Sequence, residues 1–298
     1  MKTNIATDRK ANLLGSVWMV VAMAGFAVED TLLKAATDTI PLGQVLIMFG
    51  LGGALIFACL LLVKREPLYV PDVTSKPMCI RVFFEITARL FYTLAISLIP
   101  LSAATVIMQA TPLVVVIGAA LVFGEKVGWR RWTAIFIGLV GVLIIIQPGT
   151  DSFSALSIIA VIGVLGFAGR DLASRAAPAS LSTSILGLYG FLAIAVAGGM
   201  FLVWQPAAFV MPSVETSLFL LGAVLFGVGS YACLMIAMRT GEVSAVTPFR
   251  YTRLIFGIAL GIAVFGEQLT LSMVIGSGLI VLSGLFILWR SKQVGAVK

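Results

Sequence analysis

Gly25-Phe26-Ala27-Val28-Glu29-Asp30 returns later in the chain as Gly166-Phe167-Ala168-Gly169-Arg170-Asp171, an offset of 141 residues. Lys34 falls on Arg175 at the same offset. Phe123-Gly124-Glu125 falls on Phe265-Gly266-Glu267 at 142, which carries Ser102-Ala103 onto Ser244-Ala245 and Thr105 onto Thr247. Two matches with one period, close to half of the 298 residues, indicate an internal duplication.

The duplicated unit is hydrophobic. Apolar residues make up 60% of the chain and charged ones 11%, with a mean hydropathy of +1.11, whereas soluble domains carry about 25% charge. Apolar runs lie near 13–34, 41–63, 78–98, 101–123, 130–147, 154–174, 181–204, 216–238, 243–265 and 271–290. Each is about 20 residues long, enough to cross a hydrocarbon core of about 30 Å. The expected fold is therefore an all-α membrane protein of ten transmembrane helices. It divides into a tail (1–12), a first five-helix repeat (13–150), a second repeat (151–290) and a second tail (291–298). Five is odd, so the second half enters the membrane from the opposite side. Such inverted-topology repeats are a signature of transporters, with the substrate held where the halves meet.

Basic residues fix the expected orientation. Lys2, Arg9, Lys10, Lys64, Arg65, Lys76, Arg81, Lys126, Arg130, Arg131, Arg175, Arg239, Arg290, Lys292 and Lys298 all fall on one side, and only Lys34 lies at the other. The positive-inside rule then makes both termini cytoplasmic. The net charge of +7 is mostly this topology and does not point to nucleic acid. Lys2, Arg9 and Lys10 before Ala22-Met23-Ala24 could pass for a signal peptide. Because Gly25–Asp30 is half of the repeat, the first helix is expected to be retained.

Much chemistry is excluded. Histidine is absent and the cysteines are Cys59, Cys79 and Cys233, so no His or Cys set for zinc, haem or an iron–sulfur cluster is available, and no cofactor is expected. The cysteines read as small packing residues.

Charges inside spans are costly and mark function by default. By residue count Arg89 and Arg253 lie about 16–18 Å from the inner ends of their spans, near the midplane, while Glu29 and Arg170 lie about 24 Å in, near opposite mouths. Glu85, Arg89 and Tyr92 are spaced i, i+4, i+7, as are Thr105, Gln109 and Pro112, and Arg250 and Arg253 are spaced i, i+3, so each set forms one stripe. The expected substrate-binding residues are Glu85, Arg89, Tyr92, Gln109, Tyr231, Tyr251 and Arg253. Glu29, Arg170 and Arg250 are expected at a gate or rim. Glu85 with Arg89 also reads as an intrahelical ion pair, and Arg250 as a partner of Glu242. Pro112 and Pro248 remove amide hydrogens, which would free the carbonyls of Met108 and Ser244 to receive an ammonium group. Gly257 and Gly261 form a face for close helix approach.

The run from Arg89 through Pro100, Pro112 and Gly124-Glu125 to Gly141, which closes a helix–helix–Gly-Glu–helix unit twice per chain, resembles the EamA-type branch of the drug/metabolite transporter superfamily. Within it the chain looks like bacterial amino-acid exporters of the YddG type. The resemblance covers all ten spans. It implies a basket-like carrier in the bacterial inner membrane that exports amino acids, with no ATPase domain. One departure is that the position matching Pro112 is Leu254, preceded by Phe249-Arg250-Tyr251-Thr252-Arg253. The expected function is thus secondary export of a small zwitterionic or amphipathic metabolite by alternating access. The competing classes are an integral membrane enzyme, which would need paired carboxylates or a metal set at the interface, and a channel or accessory subunit, which would favour one continuous polar stripe. The expected partners are an amino acid and the bilayer. Glu29, Asp30, Glu85 and Asp171 leave proton coupling open.

Overall fold

In hydrocarbon every backbone polar group must find its partner within the segment, which favours helices. The computed structural model, which describes residues 5–122, 124, 128–146, 156–178, 180–240 and 247–295, is helical along all ten apolar runs. The first half comprises α1 (Ile5–Thr37), α2 (Leu42–Val63), α3 (Lys76–Leu98), α4 (Leu101–Met108), α5 (Thr111–Val122) and α6 (Trp129–Ile146). The second comprises α7 (Ser157–Arg175), α8 (Thr183–Trp204), α9 (Val214–Thr240), α10 (Thr252–Phe265) and α11 (Leu271–Gly295). Six spans, one of them formed by 101–122, are apolar and long enough to cross a membrane on length and composition alone. α3 is not among them, since Lys76, Arg81, Glu85 and Arg89 interrupt it.

The fourth span is not one helix. α4 stops at Met108 and α5 starts at Thr111, because the ring of Pro112 cannot donate to the Met108 carbonyl. That carbonyl is not left free as the sequence suggests, for the Thr111 hydroxyl donates to it at 2.7 Å. Ser244, the other expected free carbonyl, lies outside the described residues. In the ninth span a 3-10 turn over Thr247–Tyr251 precedes α10 at the matching place, Gln109 and Tyr251 being 142 residues apart. The break and the turn touch, with Gln109 Nε2 donating to the Arg250 carbonyl at 3.4 Å.

Helix pairing crosses between the halves. α1 packs on α9, α3 on α7, α2 on α8, α4 on α10 and α6 on α11. Exchanging the halves maps the α1–α9 pair onto the α7–α3 pair and each of the others onto itself. The crossings use small residues, which let helices approach closely where no hydrophobic force drives them together. A Cβ at Gly25 would overlap the Ser230 hydroxyl, and one at Gly166 would lie 2.5 Å from the Ala88 nitrogen. Ser230 follows Ala88 by 142 residues, so the two contacts are equivalent. Gly257 serves the same purpose against Thr105 of α4, where a Cβ would come within 2.6 Å. Gly166→Val is expected to destabilise the protein by about 1–3 kcal/mol or more, since backbone cannot yield as a side chain can. Gly199→Val, with nothing within 4 Å of its Cβ, is the control. A melting scan of the purified proteins compares them.

Leu55, Phe83, Phe136, Leu218 and Leu282 are exposed large apolar side chains around the outside, as a lipid-facing belt requires. Cys59 and Cys79 are exposed and Cys233 half-buried, all three free. Two of the three therefore sit on the outer surface instead of packing the core.

The corner between α3 and α4 is held by two charges. Lys34 Nζ donates to the carbonyls of Ile96 (2.6 Å) and Ile99 (2.9 Å) at the end of α3. The Glu267 carboxylate accepts from the amides of Leu101 (2.5 Å) and Ser102 (2.9 Å) and from the Ser102 hydroxyl (2.6 Å) at the start of α4. A cation at a helix C-terminus and an anion at an N-terminus each complement the backbone dipoles. Gly266 aims the glutamate by taking a left-handed φ of 64°, and Gly124 takes 65° at the matching position. Glu267→Ala leaves the N–H groups of Leu101 and Ser102 without this acceptor and is expected to cost about 1–2 kcal/mol, the usual worth of a helix N-cap, read as a lower melting temperature.

Candidate substrate-binding site

α1, α3 and α10 converge on two adjacent carboxylates. Glu29 Oε1 accepts from Arg89 Nη1 at 2.7 Å, and Asp30 Oδ2 accepts from Arg253 Nη2 at 2.5 Å and from the Tyr92 hydroxyl at 3.1 Å. The side chains of Glu29 and Asp30 are 0% and 1% accessible. Aromatic faces cover the guanidiniums: Arg89 lies 5.4 Å from the centre of Phe49, and Arg253 lies 5.2 Å from Phe26 and 6.0 Å from Tyr92. Gly227 on α9 makes room, since a Cβ there would meet Phe49 at 3.1 Å and Glu29 Oε2 at 3.2 Å. Glu29 Oε2, Asp30 Oδ1, Arg89 Nε and Arg253 Nε are buried without a hydrogen-bond partner.

This arrangement corrects two expectations, the partner of Arg89 and the depth of Glu29, and supplies Arg253 with a partner. Arg89 pairs with Glu29 across the helices and not with Glu85 on its own helix. Arg253, which has no acidic neighbour in its own turn, finds Asp30 at a separation of 223 residues. Glu29 is not at a mouth. It stands eight residues before the end of α1 at Thr37, and Arg89 nine before the end of α3 at Leu98, so both lie about 12–14 Å from the same side at 1.5 Å per residue. Counting from residue 13 misplaced Glu29 because α1 extends past both edges of its apolar run.

A second ionic cluster joins α3 to α7. Arg170 contacts Glu85 Oε1 at 3.5 Å and holds Asp171 Oδ1 through Nε at 3.1 Å and Nη2 at 2.8 Å. Arg81 contacts Glu85 Oε2 at 3.6 Å and donates from Nε to Ser174 at 2.9 Å. Arg250 lies 3.9 Å from Asp171, whereas its expected partner Glu242 is outside the described residues. Arg170, Asp171 and Arg250 keep 23%, 24% and 32% of their side-chain surface accessible, so this cluster is more open than the first, whose Arg89 and Arg253 keep 11% and 15%. Tyr231 packs edge-on against Phe57 at 5.6 Å and lies in the field of Arg81, Glu85, Arg170 and Asp171. Of the expected site residues, Gln109 reaches only the backbone at the break, and Tyr251 is directed onto Gly284 of α11.

Arg81 was missed as a site residue because its place near the start of α3 made it look like a topology charge. Its spacing of i, i+4 to Glu85 was the available signal. Asp30 was likewise readable as the second acid of Glu29-Asp30. A separate cleft lies elsewhere, between α6 and α11, walled largely by apolar side chains such as Ile137, Leu282 and Phe286.

Guanidinium groups paired with carboxylates can release one partner to an incoming carboxylate while the freed acid receives an ammonium group. Comparison with known proteins bears on what is bound. A family model described as the EamA-like transporter family matches residues 13–147 and again residues 155–289. The chain is 25% identical to a riboflavin transporter of Rhizobium johnstonii, over 96% of this chain and 95% of that one. It is 23% identical to an S-adenosylmethionine uptake transporter of Rickettsia prowazekii, over 95% of each. It is 26% identical to a pseudopaline exporter of Pseudomonas aeruginosa, over 94% of this chain and 97% of that one. One solved crystal structure superposes with a TM-score of 0.61 at 18% identity, over 93% of this chain and 97% of the other, a likeness of fold.

Proposed function

The chain belongs to the EamA-like transporter family, and from that premise we propose that it exports amino acids, or small amphipathic metabolites built like them, across the bacterial inner membrane as a secondary carrier. That it is a multi-pass membrane transporter for small metabolites follows from the family and from the named transport activities of its relatives. The amino-acid substrate, the direction and the site are our reading.

One observation carries it. Glu29, Asp30 and Arg89 are buried and Arg253 largely so, as two adjoining ion pairs, each with an atom left unpartnered. Buried pairs of this kind are poor devices for stability, because desolvation offsets most of the attraction. They suit a ligand that carries both charges. The substrate carboxylate is taken by Arg253 and Arg89, its ammonium group by Asp30 or Glu29, and Phe26, Phe49 and Tyr92 cover its side chain. The pairing of helices between the halves supports alternating access, in which the second repeat is the first inverted in the membrane.

Accumulation of radiolabelled amino acids in inside-out membrane vesicles tests the substrate and direction together. Vesicles from expressing cells are expected to load, and vesicles carrying Arg253→Gln are not. Equal loading of the two would remove Arg253 from the site. Orientation is tested separately with a membrane-impermeant thiol reagent on intact cells, in a variant lacking Cys59, Cys79 and Cys233. Gln268→Cys is expected to react and Lys64→Cys to be shielded, and the reverse pattern contradicts the inverted arrangement with cytoplasmic termini.

A further inference from the structure

Resting on the transport reading, the second cluster narrows the substrate class. Three guanidiniums, from Arg81, Arg170 and Arg250, share two carboxylates, Glu85 and Asp171, among the described residues. At Glu29 and Asp30 the count is two to two. Arg81 is 4% exposed, yet its Nη1 has no hydrogen-bond partner. An unsatisfied charged donor held away from water is costly. Gly190 of α8 leaves a methyl-sized gap beside it, since a Cβ there would stand in ordinary contact, 3.6–3.8 Å from the Arg81 guanidinium nitrogens and 3.8 Å from Glu85 Oε2. Arg250 is a third exposed and stands beyond hydrogen-bond distance of Asp171, at 3.9 Å, so its fork faces accessible space with donors to offer.

We propose that Arg81, Arg170 and Arg250 form a second anion-binding subsite, and that the carried metabolite has a second carboxylate or equivalent anionic group in addition to its amino-acid end. The two clusters are near enough for one small molecule to span them. Glu85 and Arg89 are four residues apart on α3, about 6 Å along the axis. The extra anion supplies the charge that Glu85 and Asp171 do not, and the planar donors of Arg81 and Arg250 receive it in a forked geometry that lysine does not offer.

The test is a binding titration on the purified full-length protein, with thermal stabilisation as readout and L-glutamate against L-glutamine, and L-aspartate against L-asparagine, as probes. The acids are expected to bind about tenfold tighter than the amides, the worth of one charge-assisted hydrogen bond. Arg250→Gln, on the accessible side of the cluster, is expected to bring that ratio close to one. Asp171→Asn removes a competing anion and is expected to raise it. Equal binding of acid and amide by the wild type, or a ratio unchanged in Arg250→Gln, overturns the subsite even if neutral amino acids are transported. A preserved acid preference with no vesicle uptake of any amino acid leaves the subsite standing and overturns the amino-acid export reading instead.

Discussion

Glu29→Gln alone is expected to deplete the protein from the membrane, while Glu29→Gln combined with Arg89→Gln restores its abundance but not its transport. In the single variant the Arg89 guanidinium, 2.7 Å from Glu29 in a setting where the acid has no accessible surface, keeps its charge and loses its counterion. Stranding one member of a buried pair costs about 3–5 kcal/mol, comparable with the whole stability of a marginal protein. The double variant has no stranded charge, and two glutamines of similar volume can hydrogen-bond to each other. Abundance by immunoblot and uptake by vesicles separate the two effects. If the single variant accumulates as well as wild type, Arg89 has another counterion and the pairing assigned to it is wrong. If the double variant transports normally, Arg89 leaves the site.

Arg253→Lys is expected to cut transport at least about tenfold at equal membrane abundance, since arginine and lysine differ most where the guanidinium plane is used. Arg253 holds Asp30 at one nitrogen while its plane lies against Phe26 and near Tyr92, 5.2 Å and 6.0 Å from the ring centres. An ammonium group keeps the charge and loses both the fork and the stacking. Transport close to wild type would show that this position only balances Asp30.

The architecture was legible in the sequence because it is set by periodic, local properties. Each of the ten apolar runs holds a helix among the described residues, six spans being long and apolar enough to cross a membrane, and the match of Gly25–Asp30 to Gly166–Asp171 marked two segments that make equivalent contacts, through Gly25 with Ser230 and Gly166 with Ala88. Arg89, Tyr92 and Arg253 were also readable as one polar site, since charge at depth demands a partner. Which partner was not readable. Glu85 is the acid nearest to Arg89 along its own helix, yet α3 turns Arg89 toward α1 and Glu85 toward α7. Only the packing of α1 and α7 against α3 decides that choice. The break at Gln109-Ala110 was half-legible: Pro112 announced it, but the Thr111 hydroxyl that satisfies the Met108 carbonyl belongs to the local fold of the break. Tyr251 looked like a cavity wall by its neighbours in sequence, and the 3-10 turn at Thr247–Tyr251 rotates it onto α11 instead.

In the proposed transport cycle Arg89 and Arg253 receive the α-carboxylate of the carried molecule. Counterflow in liposomes containing the purified protein, loaded with the amino acid that the vesicle screen identifies, tests it most directly. Outside competitors are that amino acid and its α-carboxamide, which keeps the ammonium group and side chain and removes only the negative charge. The amino acid is expected to exchange, and the carboxamide neither to exchange nor to compete. Carboxamide exchange at the rate of the parent amino acid would contradict it.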